Sequence, residues 1–279
     1  MVKRQMLEML PAQKNVENMM MAYQEKELCN MGGYFVLASK DEAEKARLMM
    51  KMIPIAHGAL QLRYGFQGKM FLAMEREKTW IPVYECAEEG EIEKQKRFTE
   101  WLQQPFQENG PLYGFAVFHF SDNTWYGCEK FHHLIMDKAS LLLLIQWQRK
   151  ALADISNVGK EQWESKIVTD TRYLDMMHHV ETPVTSENQA KDWLARNFHR
   201  ERKIRQEHRV SLSADAKSVV CSIPLKLWRA VHKMSEEKQI SAESIWCLAI
   251  CLEHCLCLGT NQTVIGRIPN IEKGIKRTL

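Results

Sequence analysis

The chain has 279 residues, 45% of them hydrophobic and 26% charged, a composition typical of a globular protein large enough for one large domain or two lobes. Its formal net charge of +3 is too small to favour a nucleic-acid or membrane-surface partner. Since the start leads into no apolar signal segment and no run approaches the roughly 18 apolar residues of a membrane span, we expect a cytoplasmic protein whose eight cysteines are free thiols.

The first half of the sequence alternates strand and helix signals. A strand is predicted at 33–39, followed by a helix that Asp41 and Glu44 would cap. The next predicted elements are a hairpin at 59–66 and 70–74, a helix at 91–102, a second hairpin at 113–120 and 125–131, and a helix that starts after Asp137 as its N-cap. This order indicates helices around a mixed sheet, in the α/β or α+β class.

The second half begins with a less regular segment. Residues 155–184 show little periodicity and are interpreted as a crossover that contains the boundary between two lobes. The elements predicted beyond it are a helix at 186–198, a strand at 218–223, two helices at 225–237 and 241–258, and a strand at 263–268.

One spacing invites a chemical explanation: His132 and His133, followed by Asp137. Successive residues of an extended chain face opposite sides, so only one of the two histidines can line a given cavity. Imidazole titrates near neutrality and suits the proton transfer of an acyl-transfer reaction. The alternative is that Asp137 only caps a helix and both histidines are polar residues at a strand end. Spacing alone favours that alternative.

A competing signal lies in the helix predicted at 241–258, where Cys247, Cys251 and Cys255 recur every four residues beside His254. Such ligands could share one zinc ion. Core packing is the preferred interpretation, because free cysteine is among the most buried residue types. The sequence also lacks phosphate-binding and dinucleotide-binding glycine motifs, so no metal site and no bound cofactor are expected.

The tract at 131–137, Phe-His-His-Leu-Ile-Met-Asp, resembles the HHxxxDG signature of condensation domains of nonribosomal peptide synthetases and related acyltransferases. Further segments are similar to other motifs of that family, in the same order: 10–13, 57–66, 105–112, 173–175, 192–194 and 264–266. The resemblance implies a two-lobed chloramphenicol acetyltransferase-like fold of mixed sheets flanked by helices. Residues 1–165 would form the N-terminal lobe and 166–279 an incomplete C-terminal lobe.

The resemblance also implies roles for the motif residues. His133 would be the catalytic histidine, facing a channel between the lobes, where it acts as a general base or positions the nucleophile. His132 would point away and support the local structure. Asp137 would be structural, paired with an arginine of the second lobe, for which Arg267 is the nearest candidate.

By resemblance, the reaction would form an amide (peptide) bond between acyl and aminoacyl thioesters in nonribosomal peptide biosynthesis. Both substrates would be presented on the phosphopantetheine arms of acyl or peptidyl carrier proteins, which are the expected partners. An ester-forming relative would use the same histidine.

Two departures from the family pattern favour a different function for this chain. Lys138 stands where the family has glycine, and the sequence ends at Leu279, before the next family strand. The alternative is therefore a catalytically silent, condensation-like protein that binds carrier proteins or dimerises. Its partner could be the missing C-terminal lobe or a second copy of the chain.

Overall fold

The computed structural model describes two units of the chain. Tertiary contacts place the described residues up to 196 in the first unit and those from 222 onward in the second. The described residues are 5–23, 26–65, 69–73, 79–88, 90–179, 192, 196 and 222–259. The lobe boundary expected at 165/166 stays a prediction.

The first unit combines short strands with longer helices. Its described strands are β1 (Gln5–Glu8), β2 (Asn30–Leu37), β3 (Leu62–Tyr64), β4 (Lys69–Leu72), β5 (Val83–Cys86), β6 (Tyr113–Phe120) and β7 (Trp125–His132). Its described helices are α1 (Pro11–Tyr23), α2 (Lys40–Ala56), α3 (Glu91–Gln103), α4 (Lys138–Val158), α5 (Lys160–Glu164) and α6 (Arg172–His179). Single 3₁₀ turns occupy Lys26–Cys29 and Gly58–Gln61.

The strands form two sheets. The larger has the order β2-β7-β6-β5, in which only β5 runs parallel to its neighbour, and the smaller is antiparallel with the order β1-β4-β3. The predicted mixed sheet is thereby confirmed, together with both predicted hairpins. The first hairpin is shorter than predicted because its first strand begins only at Leu62, after a 3₁₀ turn.

Strand β7 is the structural centre of the first unit, and all eight of its residues are buried. On one face, Phe131 joins the core cluster that includes α2 and α4. On the other, Tyr126 and Cys128 pack with Phe98 and Trp101 of α3. Packing on both faces makes the end of β7 a firm platform for the residues that follow.

The neighbouring strand β2 approaches β7 very closely at Gly32. A Cβ atom at this position would lie 2.2 Å from the carbonyl oxygen of Glu129, well inside van der Waals contact. No such contact exists for Gly33, whose Cβ would meet nothing within 4 Å. Glycine at position 32 is therefore required for close strand pairing.

The start of α2 differs from the prediction. Ser39 is the N-cap and accepts a hydrogen bond from the Glu42 N–H (3.3 Å), while the Glu42 carboxylate accepts one from the Ala38 N–H (2.7 Å). The prediction that Asp41 and Glu44 form the capping box is thus wrong by two residues. Asp41 lies inside the first turn and pairs with Lys45 at 2.8 Å.

The segment interpreted as an irregular crossover contains helices. Helix α4 continues to Val158, and α5 and α6 follow it. A hydrogen bond from the Gly58 N–H to the Asp170 carbonyl (2.9 Å) ties the start of α6 to the 3₁₀ turn after α2. Short helices of five and eight residues leave too little periodicity to be recognised in sequence.

The second unit contains the two helices predicted there, α7 (Leu225–Lys238) and α8 (Ala242–Leu258). No single helix in the described ranges is long and apolar enough to cross a membrane, and α7 and α8 meet those criteria only together, across a bend of 112°. The elements predicted at 186–198, 218–223 and 263–268 lie, apart from a few positions, outside the described residues.

Candidate active site

The two histidines of the motif occupy different environments at the end of β7. His132 is the last residue of the strand and is 3% exposed, whereas His133, the next residue, is exposed. This is the alternation expected of extended backbone. Only His133 is therefore available to a substrate.

His132 is held as a neutral imidazole. Its Nδ1 accepts a hydrogen bond from the Leu134 N–H at 3.1 Å, so in the neutral ring the proton resides on Nε2. Burial, with a smaller contribution from neighbouring His133, lowers the pKa of His132 to about 4. The Phe106 ring packs against it with ring centroids 5.9 Å apart. A buried, neutral ring bonded to the backbone fits a supporting role.

The backbone around His133 is fixed although its ring is exposed. Its N–H donates to the Cys29 carbonyl at 2.8 Å, which ties it to the segment that enters β2. The Ile135 N–H donates to the His132 carbonyl at 3.0 Å and closes the turn. Backbone hydrogen bonds at His133 and two residues after it thus fix the position of the His133 Cα atom, from which the side chain extends.

Asp137 is the second residue beyond this turn and caps α4. Its Oδ1 accepts a hydrogen bond from the Ser140 N–H at 2.7 Å, as predicted for an N-cap. The proposed partner Arg267 lies outside the described residues, so its pairing with Asp137 stays a prediction. Lys138, which replaces the family glycine, is the exposed first residue of α4.

Gln13 was not identified as a site residue from the sequence. Its side-chain Nε2 donates to the Leu134 carbonyl at 2.8 Å and to the Tyr173 hydroxyl at 3.3 Å, and its Oε1 accepts from the Leu10 N–H at 2.9 Å. One amide therefore joins three segments that the sequence shows only as separate motifs. Separations of 121 and 160 residues leave no local signal for these bonds.

Tyr173 adds a neutral phenol beside the capping carboxylate. Burial, with a smaller contribution from the negative charge of Asp137, raises the pKa of Tyr173 to about 12. The hydroxyl is therefore protonated at physiological pH. Gln13 is bonded to the turn that follows His133, Tyr173 is bonded to Gln13, and Asp137 caps the helix after the turn.

A buried carboxyl group lies in β7 on the same strand face as Phe131. Glu129 is 4% exposed, and its Oε2 accepts a hydrogen bond from the Gln148 amide of α4 at 2.5 Å. Burial raises the pKa of Glu129 to about 7, although the bond from Gln148 acts in the opposite direction. An acidic residue within a run of aromatic residues was the signal that could have identified it.

On the other face of β7, Lys130 holds the end of α3. Its Nζ donates to the carbonyls of Trp101 (3.1 Å) and Gln104 (2.9 Å), and the Asn30 amide also donates to the Gln104 carbonyl (3.0 Å). A cation at the carboxyl end of a helix is favourable. These bonds connect α3 to the two strands that carry the site.

The helical cysteines do not form a metal centre in the part of the chain that is described. No group of three or more His, Cys, Asp or Glu side chains there could hold a metal ion. Cys247, Cys251 and Cys255 are half-buried rather than core residues, and the exposed Cys257 thiol donates to Glu253 at 3.0 Å. All seven cysteines of the described segments are free thiols.

Comparison with solved structures identifies the fold. A mutant of the starter condensation domain of the rhizomide synthetase RzmA matches with a TM-score of 0.53 and 16% identity, over 70% of this chain and 48% of that one. A second mutant structure of that domain gives 0.51 and 16%, over the same shares of the two chains. The epimerization domain from the third module of tyrocidine synthetase B matches at 19% identity and a TM-score of 0.47, over 61% of this chain and 38% of that one.

The two matches to the starter condensation domain confirm the fold that the resemblance implied, and the chain spans about half the length of that domain. No protein of curated function is detectably similar in sequence. The sequence profile of the family described as Condensation domain matches residues 3–253, which is most of the chain. The chain therefore belongs to the condensation-domain family.

Proposed function

We propose that this chain is a condensation-type acyltransferase that forms an amide bond between acyl and aminoacyl groups carried on the phosphopantetheine arms of carrier proteins. The observation that carries the proposal is His133, an exposed imidazole on a fixed backbone beside a buried, neutral histidine. Membership of the condensation-domain family supports this class of reaction.

In the proposed reaction, the amine nitrogen of the acceptor attacks the carbonyl carbon of the donor thioester. The new C–N bond forms, the C–S bond breaks, and the proton lost by the amine ends on the departing thiolate. His133 orients the amine or accepts its proton, and the fixed backbone keeps the ring in one place. His132 stays neutral and takes no part in proton transfer.

Substitution of His133 tests the proposal. In His133→Ala we expect transfer between acyl- and aminoacyl-carrier proteins to fall roughly a hundredfold or more, the range associated with loss of one acid–base group. Intact-protein mass spectrometry of the carriers measures the product. His254→Ala, which removes an exposed histidine in the second unit, is the matched control and should transfer at the wild-type rate. Undiminished transfer by His133→Ala would refute the mechanism.

Lys138 favours a second candidate function, a silent condensation-like protein that binds carrier proteins. The lysine begins α4 five residues after His133, where the family has glycine. In this candidate the Lys138 side chain, at a position where glycine has none, narrows the approach to the His133 ring.

This candidate predicts no transfer by the wild-type chain but measurable binding to a carrier protein. Lys138→Gly should then produce transfer that His133→Ala abolishes again in the double variant. Mass spectrometry and a carrier-binding titration separate the two functions. Transfer by the unmodified wild-type chain would eliminate the silent candidate.

A further inference from the structure

Besides the Ile135 N–H bond that closes the turn, three hydrogen bonds hold the backbone of His133 and Leu134. The His133 N–H is bonded to the Cys29 carbonyl, and the Leu134 N–H is bonded to the ring of His132. The Leu134 carbonyl accepts from Gln13 at 2.8 Å, in a buried environment. Of the three, only the bond from Gln13 comes from outside the strands β2 and β7 and their immediate ends.

The chemistry of its neighbours fixes the orientation of the Gln13 amide. Its Oε1 faces a donor, the Leu10 N–H, and its Nε2 faces an acceptor, the Leu134 carbonyl. A flipped amide would place oxygen against oxygen and N–H against N–H. Gln13 is 4% exposed, so water does not compete freely for these bonds.

The two ends of this amide serve different purposes. Gln13 lies in the first turn of α1, and its bond to the Leu10 N–H is the backward bond of a capping box. That end stabilises the start of a helix. The other end reaches the motif turn and Tyr173, which lies near Asp137.

We propose that Gln13 is a positioning residue for His133, in which the side-chain amide holds the Leu134 carbonyl and thereby keeps the catalytic turn in its active geometry. This inference rests on the proposed function of His133. It assigns no contact with substrate to Gln13, because Gln13 acts through the backbone of the turn.

Gln13→Glu separates positioning from capping. Glutamate at this position still accepts from the Leu10 N–H and favours the start of a helix, but it cannot donate to the Leu134 carbonyl when ionised. We expect kcat to fall roughly tenfold with KM for the carrier substrates nearly unchanged, and the unfolding midpoint to fall as well, because the buried carboxylate faces the Leu134 carbonyl without a proton to donate. Gln146→Glu, at an exposed glutamine of α4, is the matched control and should keep the wild-type kcat.

Amide hydrogen exchange gives a readout that does not depend on catalysis. In Gln13→Glu, the Leu134 and Ile135 amides should exchange roughly tenfold faster, while amides in the middle of β6 keep their wild-type rates. Wild-type kcat together with unchanged exchange at these two amides would overturn the inference. If the wild-type chain transfers nothing, the proposed function fails, and the exchange rates still decide whether Gln13 holds the turn.

A measurement on the wild-type protein covers the case in which Gln13→Glu does not fold. The side-chain amide protons of Gln13 should be protected from solvent exchange, because one of them is bonded to the buried Leu134 carbonyl. Exchange at the rate of a free glutamine side chain would refute the inference.

Discussion

Glu129 shows how a single side chain can oppose the stability of the sheet that carries the site. Its carboxyl group is buried between β7 and α4, and its one described hydrogen-bond donor is the neutral amide of Gln148. Burial raises its pKa from 4.5 to about 7, so the folded state prefers the protonated form. Folding is therefore favoured below the pKa of the unfolded chain and becomes less favourable as the pH rises towards 7.

Glu129→Gln should remove this pH dependence. Relative to wild type, the variant should gain stability as the pH rises from about 4.5 to about 7, reaching roughly 3 kcal/mol from the linkage between pKa and folding. Urea unfolding across that pH range measures the difference. Glu100→Gln, on the exposed side of α3, should show no such trend. A constant difference between Glu129→Gln and wild type would contradict the argument.

The buried histidines have the opposite effect on the pH dependence of stability, because they make folding less favourable as the pH falls. Burial lowers the pKa of His57 to about 4, as it does for His132, and neither ring nitrogen of His57 has a hydrogen-bond partner in the described structure. Each ring must therefore lose its proton to fold below pH 6.5, and stability falls as the pH drops from 6.5 towards 4. Between about pH 4.5 and 6.5 the two histidines together change the free energy of unfolding with pH more steeply than Glu129 does, so their effect on stability prevails.

At the scale of residues, the sequence predicted the motif but not the buried side chains that hydrogen-bond to the turn and to the neighbouring helix. His132, His133 and Asp137 could be named because they lie within six positions of one another, and Asp137 was confirmed as an N-cap. The role of Gln13 could not be predicted, and neither could the bond between Glu129 and Gln148, since both depend on contacts that only the tertiary fold brings together.

At the scale of elements, a sustained pattern or a turn signal decided which predictions succeeded, because the short strands β3 and β4 were predicted from the glycine turn between them and the thirteen-residue helix α1 was not predicted. The eight-residue strands β6 and β7 and the helices α3 and α4 were predicted because each shows a sustained pattern. β1 and β5 have four residues each and were missed. For β5, parallel pairing with β6 also removes the hairpin turn that would have marked it.

Helix α4 offers a test of what Asp137 contributes. Asp137→Ala should lower the free energy of unfolding by about 1 kcal/mol, because the Ser140 N–H loses its acceptor. Asp137→Ser preserves a cap and should lose only a few tenths of that energy. Chemical denaturation compares the variants. If Asp137→Ser keeps its stability but loses acyl transfer, the charge of Asp137 has a role beyond capping, as its predicted pairing with Arg267 requires.

At the scale of the whole molecule, most of the described elements belong to the first unit. It contains the motif turn, both described sheets and the segments similar to family motifs at 10–13, 57–66, 105–112 and 173–175. In the second unit only α7 and α8 are described, and they match the prediction at both ends within one residue. The lobe boundary and the pairing of Arg267 depend on segments that no sequence pattern could place in space.

The close approach of Gly32 to β7 links the site to a residue with no side chain. The same strand pair aligns Asn30 with His132, and Cys29, just before β2, holds the His133 N–H. A methyl group at position 32 would separate the strands and draw that carbonyl away from the histidine, whereas the open surroundings of Gly33 leave room for one. A side chain added at a glycine a hundred positions earlier would therefore displace the backbone that carries the His133 imidazole, whereas one added at the neighbouring glycine would leave that backbone in place.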